Sequence, residues 1–249
     1  MTGILEVCVD SLASARGAIR GGADRLELCC ALCVGGLTPY AALLEQIRRE
    51  SSIPVRCLMR PRPGDFLYTQ DEVQMLARQI RILRQCGADG FVIGCLTAEG
   101  ELDGEALKPL IEAADGAGLT LHRAIDVSRD LAETYRAAGR LGFDTVLTSG
   151  GAASCTEGAE TIGTLLEIQK AEGGPEVLIG AGVNAGIIAR FRSKYPEARC
   201  FHMSGKQEVE SGMCFRRKGV PMGLPGLDEW HIQQTARDAV PAARTALDA

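Results

Sequence analysis

Short apolar runs alternate with longer amphipathic segments along the whole chain, and this alternation constrains the fold more than any other feature. The first residues of the short runs lie 21 to 35 positions apart. The eight runs are Ile4–Val9, Arg25–Cys29, Val55–Arg60, Gly90–Gly94, Leu119–Arg123, Asp144–Thr148, Val177–Gly180 and Cys200–Ser204. The clearest longer segments are Pro39–Glu50, Asp71–Cys86, Glu105–Gly116, Leu131–Leu141 and Ile162–Glu172. Strict alternation of this kind predicts parallel strands joined by right-handed helical crossovers.

Eight such units predict that the strands close into a barrel. A (β/α)8 TIM barrel takes ~250 residues, and this chain has 249, so we expect one domain over residues 1–249. The alternative is an open doubly wound sheet, but no Gly-x-Gly-x-x-Gly follows the first strand. We expect the segment Asp228–Ala239 to form the eighth helix, after a long loop over Gly205–Leu227.

Alternation along each strand predicts that five strands direct ionisable side chains into the barrel. The inward set comprises Glu6, Cys8, Asp10, Arg25, Glu27, Cys29, Arg56, Leu58, Arg60, Thr120, His122, His202 and Ser204. A charge removed from water costs several kcal/mol unless it is paired, so we expect Glu6 and Glu27 to pair with Arg60 or Arg56. The set is either a self-neutralised network that only specifies the barrel or the floor of a pocket.

The run from Leu119 to Asp126 contains one of the three histidines of the chain at a strand end. His122 is a candidate general acid or base, and Asp126 would orient either His122 or Arg123. Strand parity turns Arg123 away from the interior, unless the strand has already ended there.

The loops at the same ends of the strands are candidates for binding an anion. The loops after strands 7 and 8 of this fold, together with a helix N-terminus, commonly hold phosphate. The candidates are Ser149 and Gly150 after the sixth strand, Gly182 and the predicted helix cap Asn184 after the seventh, and Ser204 and Lys206 after the eighth. Two prolines stiffen the loop that carries Arg60 and Arg62, where Asp65 can hold either guanidinium in place.

Composition excludes several classes of function. A net charge of −5 with no basic run argues against binding to nucleic acid or to anionic membranes. No apolar stretch approaches the ~20 residues of a membrane span, and no signal peptide is recognisable, so we expect a cytoplasmic protein. Ten cysteines without a secretion signal indicate small buried side chains rather than disulfides.

The most distinctive motifs of the chain are Glu6–Ser11, Gly21–Cys29, Gly35–Pro39, Met59–Phe66, His122–Asp126, Val146–Gly151, Phe201–Ser204 and Ser211–Arg216. Together they resemble the CutC family of copper-homeostasis proteins. The resemblance implies a cytosolic TIM barrel that forms a homodimer or homotetramer, with Cu(I) bound by the cysteines that match Cys8 and Cys29. Thiolates suit this soft ion. Cys30 and Cys33 have no obvious partners in the family motif.

Two functions therefore compete, with a non-catalytic scaffold as a third. One is a Cu(I)-binding protein that uses Cys8 and Cys29. The other is a lyase, isomerase or hydrolase for a small phosphorylated or carboxylated molecule. Its candidate catalytic residues are Glu6, Glu27, Arg60, His122 and Asp126, and its candidate binding residues are Arg62, Ser149, Gly150, Gly182, Asn184, His202, Ser204 and Lys206. A metal-dependent version with Glu6, Glu27 and His122 as ligands is disfavoured, because Arg60 would repel the cation.

Overall fold

Eight parallel strands close into a barrel in the order of the sequence, which confirms the predicted (β/α)8 fold. The structure is a computed structural model that describes residues 3–223, 226 and 228–249. The barrel strands are β1 Ile4–Val9, β2 Arg25–Leu28, β3 Val55–Leu58, β4 Gly90–Ile93, β5 Gly118–Leu121, β6 Thr145–Thr148, β7 Glu176–Ile179 and β8 Cys200–Met203. Each of the predicted apolar runs overlaps one of them, and β5 and β7 begin one residue before the predicted runs.

Helices surround the barrel. They are α1 Leu12–Arg20, α2 Ala41–Glu50, α3 Gln70–Gln85, α4 Gly104–Ala114, α5 Leu131–Arg140, α6 Ala159–Glu172, α7 Ala185–Lys194 and α8 Ala239–Asp248. Their first residues follow local capping chemistry. Thr69 and Glu72 form a reciprocal capping box at α3, and the Asn184 side chain accepts a hydrogen bond from the Ile187 N–H, which confirms Asn184 as the cap of α7.

Strand parity divides the buried side chains into two layers, as predicted. The outward residues of the strands, such as Val7, Leu28 and Phe91, pack with the helices in the main hydrophobic core. Smaller apolar clusters fill parts of the barrel interior: Cys29 with Leu58 and Val92, and Leu147 with Leu178 and Cys200. The remaining inward positions are polar, so the interior offers room for a site as well as a core.

The predicted eighth helix over Asp228–Ala239 is wrong. Residues Lys206–Glu210 (β9) and His231–Thr235 (β10) instead form an antiparallel two-stranded sheet outside the barrel, hereafter the hairpin. A docked helix needs an apolar stripe, and Ile232 is the one large aliphatic side chain of β10. Helix α8 carries such a stripe in Val240, Ala243 and Leu247, all of which are buried.

A second departure concerns the fifth strand. β5 ends at Leu121, and a short 3-10 helix over Arg123–Val127 follows at once. Strand parity therefore does not apply to Arg123, whose side chain turns back toward the open end of the barrel. No helix among the described residues is long and apolar enough to cross a membrane.

Candidate active site

Four ionisable side chains meet inside the barrel on the neighbouring strands β8, β1 and β2. Glu6 is fully buried and lies in register with Arg25 on one side and His202 on the other. Its carboxylate accepts a hydrogen bond of 2.5 Å from Arg25 Nε and lies 2.8 Å from His202 Nδ1. Glu27 Oε2 is 3.7 Å from the same His202 nitrogen. We refer to Glu6, Arg25, Glu27 and His202 as the carboxylate cluster.

The expected partners of Glu6 and Glu27 were Arg60 or Arg56, and this prediction is wrong. Arg56 lies near the opposite, N-terminal end of the strands, where it donates to Thr120 and pairs with Asp144 at 2.6 Å. Arg25 has the inward parity and occupies the position next to Glu6 on the adjacent strand. Glu6 is therefore neutralised by the cation in register with it on the adjacent strand, and not by an arginine that would have to reach it from the loop after β3.

The two glutamates of the carboxylate cluster have opposite pKa shifts. Burial alone would raise the pKa of Glu6, but Arg25 and His202 stabilise its charged form and lower the pKa to about 2. Burial raises the pKa of Glu27 to about 7 against the opposing charge of His202, and Glu6 adds to the rise. Paired carboxyl groups whose pKa values are pushed apart are the usual basis for separate acid and base roles.

His202 is the cation that links the two carboxylates. Burial opposes a charged ring, but the adjacent Cys8, Glu27 and Glu6 raise the pKa of His202 well above its ordinary value. A charged imidazole beside Glu6 is thus maintained at neutral pH, while Glu27 is the group that titrates there. Glu27 Oε2 is also a buried oxygen without a hydrogen-bond partner among the described residues.

Arg60, Phe66 and His122 form a second group on the far side of the barrel. The Arg60 guanidinium donates to the carbonyls of Val34, Gly36 and Gly64 and lies over the Phe66 ring, 5.4 Å from its centroid. The His122 ring packs on the same phenyl ring, with centroids 4.7 Å apart. The structure thus separates Arg60 and His122 from Glu6 and Glu27, which the sequence had suggested would meet.

His122 is a neutral ring that offers a hydrogen-bond donor. Burial, with a contribution from Arg60, lowers the pKa of His122 to about 3. Its Nδ1 accepts the N–H of Ala124 at 3.2 Å, so the proton of the neutral ring lies on Nε2. Nε2 is buried and has no partner among the residues described. His122 therefore suits hydrogen bonding to a ligand better than proton abstraction.

Asp126 anchors the loop after β6 rather than orienting His122. Its carboxylate accepts hydrogen bonds from Thr148 Oγ1 at 2.5 Å, from the N–H groups of Ser149 and Gly151, and from Arg123 Nε at 2.7 Å. Arg123 also donates to Ser149 Oγ at 2.7 Å. Of the two orienting roles predicted for Asp126, the one toward Arg123 is confirmed.

A cavity of about 240 Å³ opens beside the carboxylate cluster at the C-terminal ends of the strands. We call it the mouth cavity. Its polar lining includes Cys8, Arg123, Gly182, His202, Ser204 and Lys206. The predicted binding residues of the seventh and eighth loops, Gly182, Ser204 and Lys206, are therefore brought together over His202. Arg123 joins them because β5 ends early.

Other predicted binding residues lie elsewhere. Arg62 pairs with Asp65 at 3.0 Å and with Glu72 at 2.7 Å, which ties its loop to α3. Asn184 caps α7, Ser149 is buried against Asp126, and Gly150 makes a tight turn with a φ of 75°. These residues shape the loops around the mouth cavity, and none of them lines it.

The two cysteines expected to bind copper differ in environment. Cys8 lines the mouth cavity and lies in register with Glu27. Cys29 directly follows β2 and is fully buried. Its thiol lies 3.6 Å from the Val9 carbonyl oxygen. Burial, with nearby Cys8 and Glu27, raises the pKa of Cys29 far above its ordinary value.

One set of three potential metal-ligand atoms occurs among the described residues, and it consists of Glu6, Glu27 and His202. The histidine is His202, so the set that was considered with His122 does not form. Arg25 lies 2.5 Å from Glu6, so a positive charge already stands next to this set of ligand atoms and disfavours a bound cation. Two functional candidates, Arg25 and Arg123, were not among the predicted site residues. The parity of Arg25 could have identified it, whereas Arg123 required knowledge of where β5 ends.

The comparisons with known proteins agree with this architecture. The model of the CutC family matches residues 3–206. The chain belongs to the CutC family. A CutC relative from Chromobacterium violaceum is 40% identical over 100% of this chain and 99% of its own length. A relative from Vibrio campbellii is 37% identical over 98% of both chains. The structure of CutC from Streptococcus agalactiae, a protein named for copper homeostasis, has a TM-score of 0.76 and 27% identity over 82% of this chain and 99% of that chain.

More distant structures share the fold of this CutC-family chain. The 3-hexulose-6-phosphate synthase from Salmonella typhimurium has a TM-score of 0.57 with 12% identity, over 98% of both chains. A 2,3-dimethylmalate lyase has a TM-score of 0.55 with 20% identity, over 82% of this chain and 76% of that chain. At this level of identity the likeness concerns the barrel alone.

Proposed function

We propose that this CutC-family protein is an enzyme that transfers a proton to or from a small phosphorylated or carboxylated molecule at the mouth of the barrel. The observation that carries the proposal is the position of the mouth cavity. Two cations and a glycine turn line it, and its floor residue His202 contacts the two glutamates whose pKa values diverge. A carrier of metal ions has no need for that combination.

The walls of the mouth cavity suit an anionic group. Arg123 is held by Asp126 and Ser149, so its guanidinium is fixed before a ligand arrives. Ala181 and Gly182 both have positive φ, of 71° and 85°, in the turn that leads into α7. Turns of this kind, followed by a helix N-terminus, direct backbone N–H groups toward a bound anion. Lys206 adds a positive charge from the loop after β8.

The carboxylate cluster suits proton transfer. A pKa of about 7 lets Glu27 accept or donate a proton near neutral pH. Glu6 stays ionised, held by Arg25, and keeps His202 charged next to the cavity. A cation there stabilises negative charge that develops on a carbonyl oxygen when a neighbouring carbon loses its proton. This arrangement favours an isomerase or a lyase over a hydrolase.

The test is a search for turnover with the proton transfer as readout. The wild-type protein would be incubated in D₂O with a panel of sugar phosphates, sugar acids and keto acids, and followed by proton NMR, which detects both products and exchange of carbon-bound hydrogen. We expect exchange or turnover of at least one compound. Glu27→Gln would abolish it, while the exposed control Glu112→Gln would retain it. Exchange that persists in Glu27→Gln would contradict the proposed role.

Cu(I) binding is the second candidate, and the position of Cys8 favours it. The Cys8 thiol lies in the wall of the mouth cavity next to the His202 ring, and a thiolate and an imidazole are ligands that suit copper once the metal has displaced a proton from each group. Cys29 fits such a site poorly, because its thiol is buried against the Val9 carbonyl and its pKa is strongly raised. The copper function in the family name would then depend on Cys8 rather than on a cysteine pair.

A titration separates the two copper hypotheses. Cu(I) affinity would be measured by competition with a chromophoric chelator for the wild type, Cys8→Ser and Cys29→Ser. A site of two thiolates predicts similar losses in both variants. If Cys8 acts with His202, only Cys8→Ser weakens binding. Equal affinity in all three proteins would remove both copper hypotheses.

A homodimer or homotetramer stays a prediction. The segment between β9 and β10 exposes Met213, Phe215 and Met222, and a patch of apolar side chains on a surface often marks a contact with another chain. Multi-angle light scattering of the wild type and of Phe215→Glu would measure whether these side chains hold chains together.

A further inference from the structure

A second cavity lies alongside the mouth cavity, between the hairpin and the loops after β1 and β2. We call it the hairpin cavity. It has a volume of about 490 Å³, which lies within the range of about 300–1,000 Å³ that is typical of small-molecule sites. The two cavities share the residues Cys8, Leu32, Ser204 and Lys206. Because four residues line both cavities, the two lie side by side at the mouth of the barrel.

Asp10 is a carboxylate in the wall of the hairpin cavity that has no partner among the described residues. It follows β1 directly, two residues after Cys8, and its side chain is half-buried in the cavity wall. Within residues 3–223, 226 and 228–249 its carboxylate has no hydrogen-bond or ion-pair partner. A partly desolvated carboxylate without a partner gains stability from any donor that a ligand supplies. Asp10 is therefore poised to accept hydrogen bonds from a bound molecule.

The other charged groups of the hairpin cavity are paired or offset the charge of Asp10. The second carboxylate, Asp228, lies 2.6 Å from His231 Nδ1. The hydrogen bond and charge of Asp228 raise the pKa of His231. Lys206, which lines both cavities, brings a further positive charge. Because Lys206 offsets the charge of Asp10 and Asp228 already has His231 as its partner, the cavity favours hydroxyl donors over an ammonium group.

The two cavities thus differ in what they can bind. Arg123, Lys206 and the turn at Gly182 make the mouth cavity an anion site, while the hairpin cavity offers the acceptor Asp10 and an apolar wall that includes Leu32 and Ile232. We propose that together they form one elongated pocket for an anionic, polyhydroxylated small molecule. Its anionic group lies near Arg123 and its hydroxyl groups near Asp10. This inference rests on the proposed function and specifies its substrate class as a sugar phosphate or a sugar acid.

Calorimetric binding measurements test the inference on the wild-type protein. The probes are ribose 5-phosphate, glucose 6-phosphate and gluconate, with inorganic phosphate and acetate as the bare anionic groups. We expect at least one sugar derivative to bind about tenfold or more tightly than its bare anion. A preference for the phosphates or for gluconate identifies the anionic group. Phosphoethanolamine tests the ammonium alternative, and tighter binding of that probe than of the sugar phosphates would overturn the inference.

Variants assign the gain in affinity to the hairpin cavity. Asp10→Ala would remove most of the difference between the sugar derivative and the bare anion, and the affinity for the bare anion would be unchanged. Ile232→Trp, at a half-exposed position of the cavity wall, would fill the cavity and give the same loss without touching Asp10. The control Glu112→Ala would retain the full difference. Retention of the gain in both cavity variants would contradict the inference.

Failure of this inference is distinguishable from failure of the proposed function. If the bare anions bind the wild type but no sugar derivative binds more tightly, the mouth cavity is an anion site and the elongated pocket is wrong. If no anion binds at all, and no compound exchanges hydrogen in D₂O, the proposed function itself is wrong.

Discussion

Glu6 and Arg25 form a buried ion pair of 2.5 Å across the first two strands of the barrel. Removing one partner of such a pair leaves a charge in a medium that does not solvate it, which typically costs about 3–5 kcal/mol of stability. We therefore expect Arg25→Met to lower the free energy of unfolding by an amount of this order in urea titrations. His202 remains next to Glu6 in this variant and partly compensates its charge, so we expect a loss near the lower end of this range.

A double-mutant cycle isolates the pair from its surroundings. In Glu6→Leu/Arg25→Met both charges are gone, so the double variant is expected to be more stable than the sum of the single changes predicts. Arg16→Met, which breaks an exposed ion pair with Glu50, serves as the control and should have little effect. Additivity of the two buried changes would contradict the energetic coupling.

Glu27 predicts a loss of stability as the pH rises. Its pKa in the folded protein is about 7, above the ordinary value of 4.5, so its contribution is complete below pH 4.5 and is lost as the pH rises through 7. The loss is on the order of 3 kcal/mol between these limits. Glu27→Gln stays neutral, so the stability of the wild type relative to this variant should fall as the pH rises from 5 to 8. Glu112→Gln should keep the wild-type slope.

His122 predicts the opposite dependence. Its pKa of about 3 lies below the ordinary 6.5, so stability is complete above pH 6.5 and declines as the pH falls, because the unfolded chain then binds a proton that the folded ring excludes. The expected slope is about 1.4 kcal/mol per pH unit. Between pH 6.5 and 5 Glu27 contributes a slope of opposite sign, so the two effects largely cancel in the wild type, and His122→Gln should remove the His122 contribution and leave the fall of stability with rising pH that Glu27 causes. His231→Gln, at an exposed ring with a raised pKa, should leave the His122 contribution in place.

Strand periodicity predicts which residues enter the barrel, but the contacts among them depend on how the strands are staggered. The alternation of side chains places Glu6, Glu27, His122 and His202 inside, as the structure confirms. It does not show that Arg25 rather than Arg60 faces Glu6, because register between neighbouring strands is fixed by closure of the whole barrel. Likewise, Arg123 reaches the mouth cavity because β5 ends at Leu121, and strand ends are not encoded by periodicity.

The contacts of Asp126 predict that anion binding depends on how the loop after β6 and Arg123 are held in place. Its carboxylate accepts hydrogen bonds from two backbone N–H groups and from Thr148 while it fixes Arg123. Asp126→Asn loses the charge and replaces one acceptor with a donor, so Arg123 should lose its fixed position. We expect about tenfold weaker binding of inorganic phosphate with a moderate fall in melting temperature. Asp130→Ala, which removes the cap of α5, should lower the melting temperature without changing the phosphate affinity.

Gly94 packs so closely against the His122 ring that a larger residue at position 94 would collide with it. A Cβ atom at position 94 would lie 2.5 Å from His122 Cε1 and 2.7 Å from Nδ1, and Phe66 covers the same ring. Gly94→Ala must therefore displace the imidazole, at a cost of about 1–3 kcal/mol. His122→Ala in the same chain removes the clash, so the two changes should be strongly non-additive in urea titrations. Gly212→Ala, whose Cβ would meet no atom within 4 Å and whose φ, like that of Gly94, is not positive, is the control for the loss of a glycine alone. Gly94→Ala without such coupling to His122 would show that the ring moves freely.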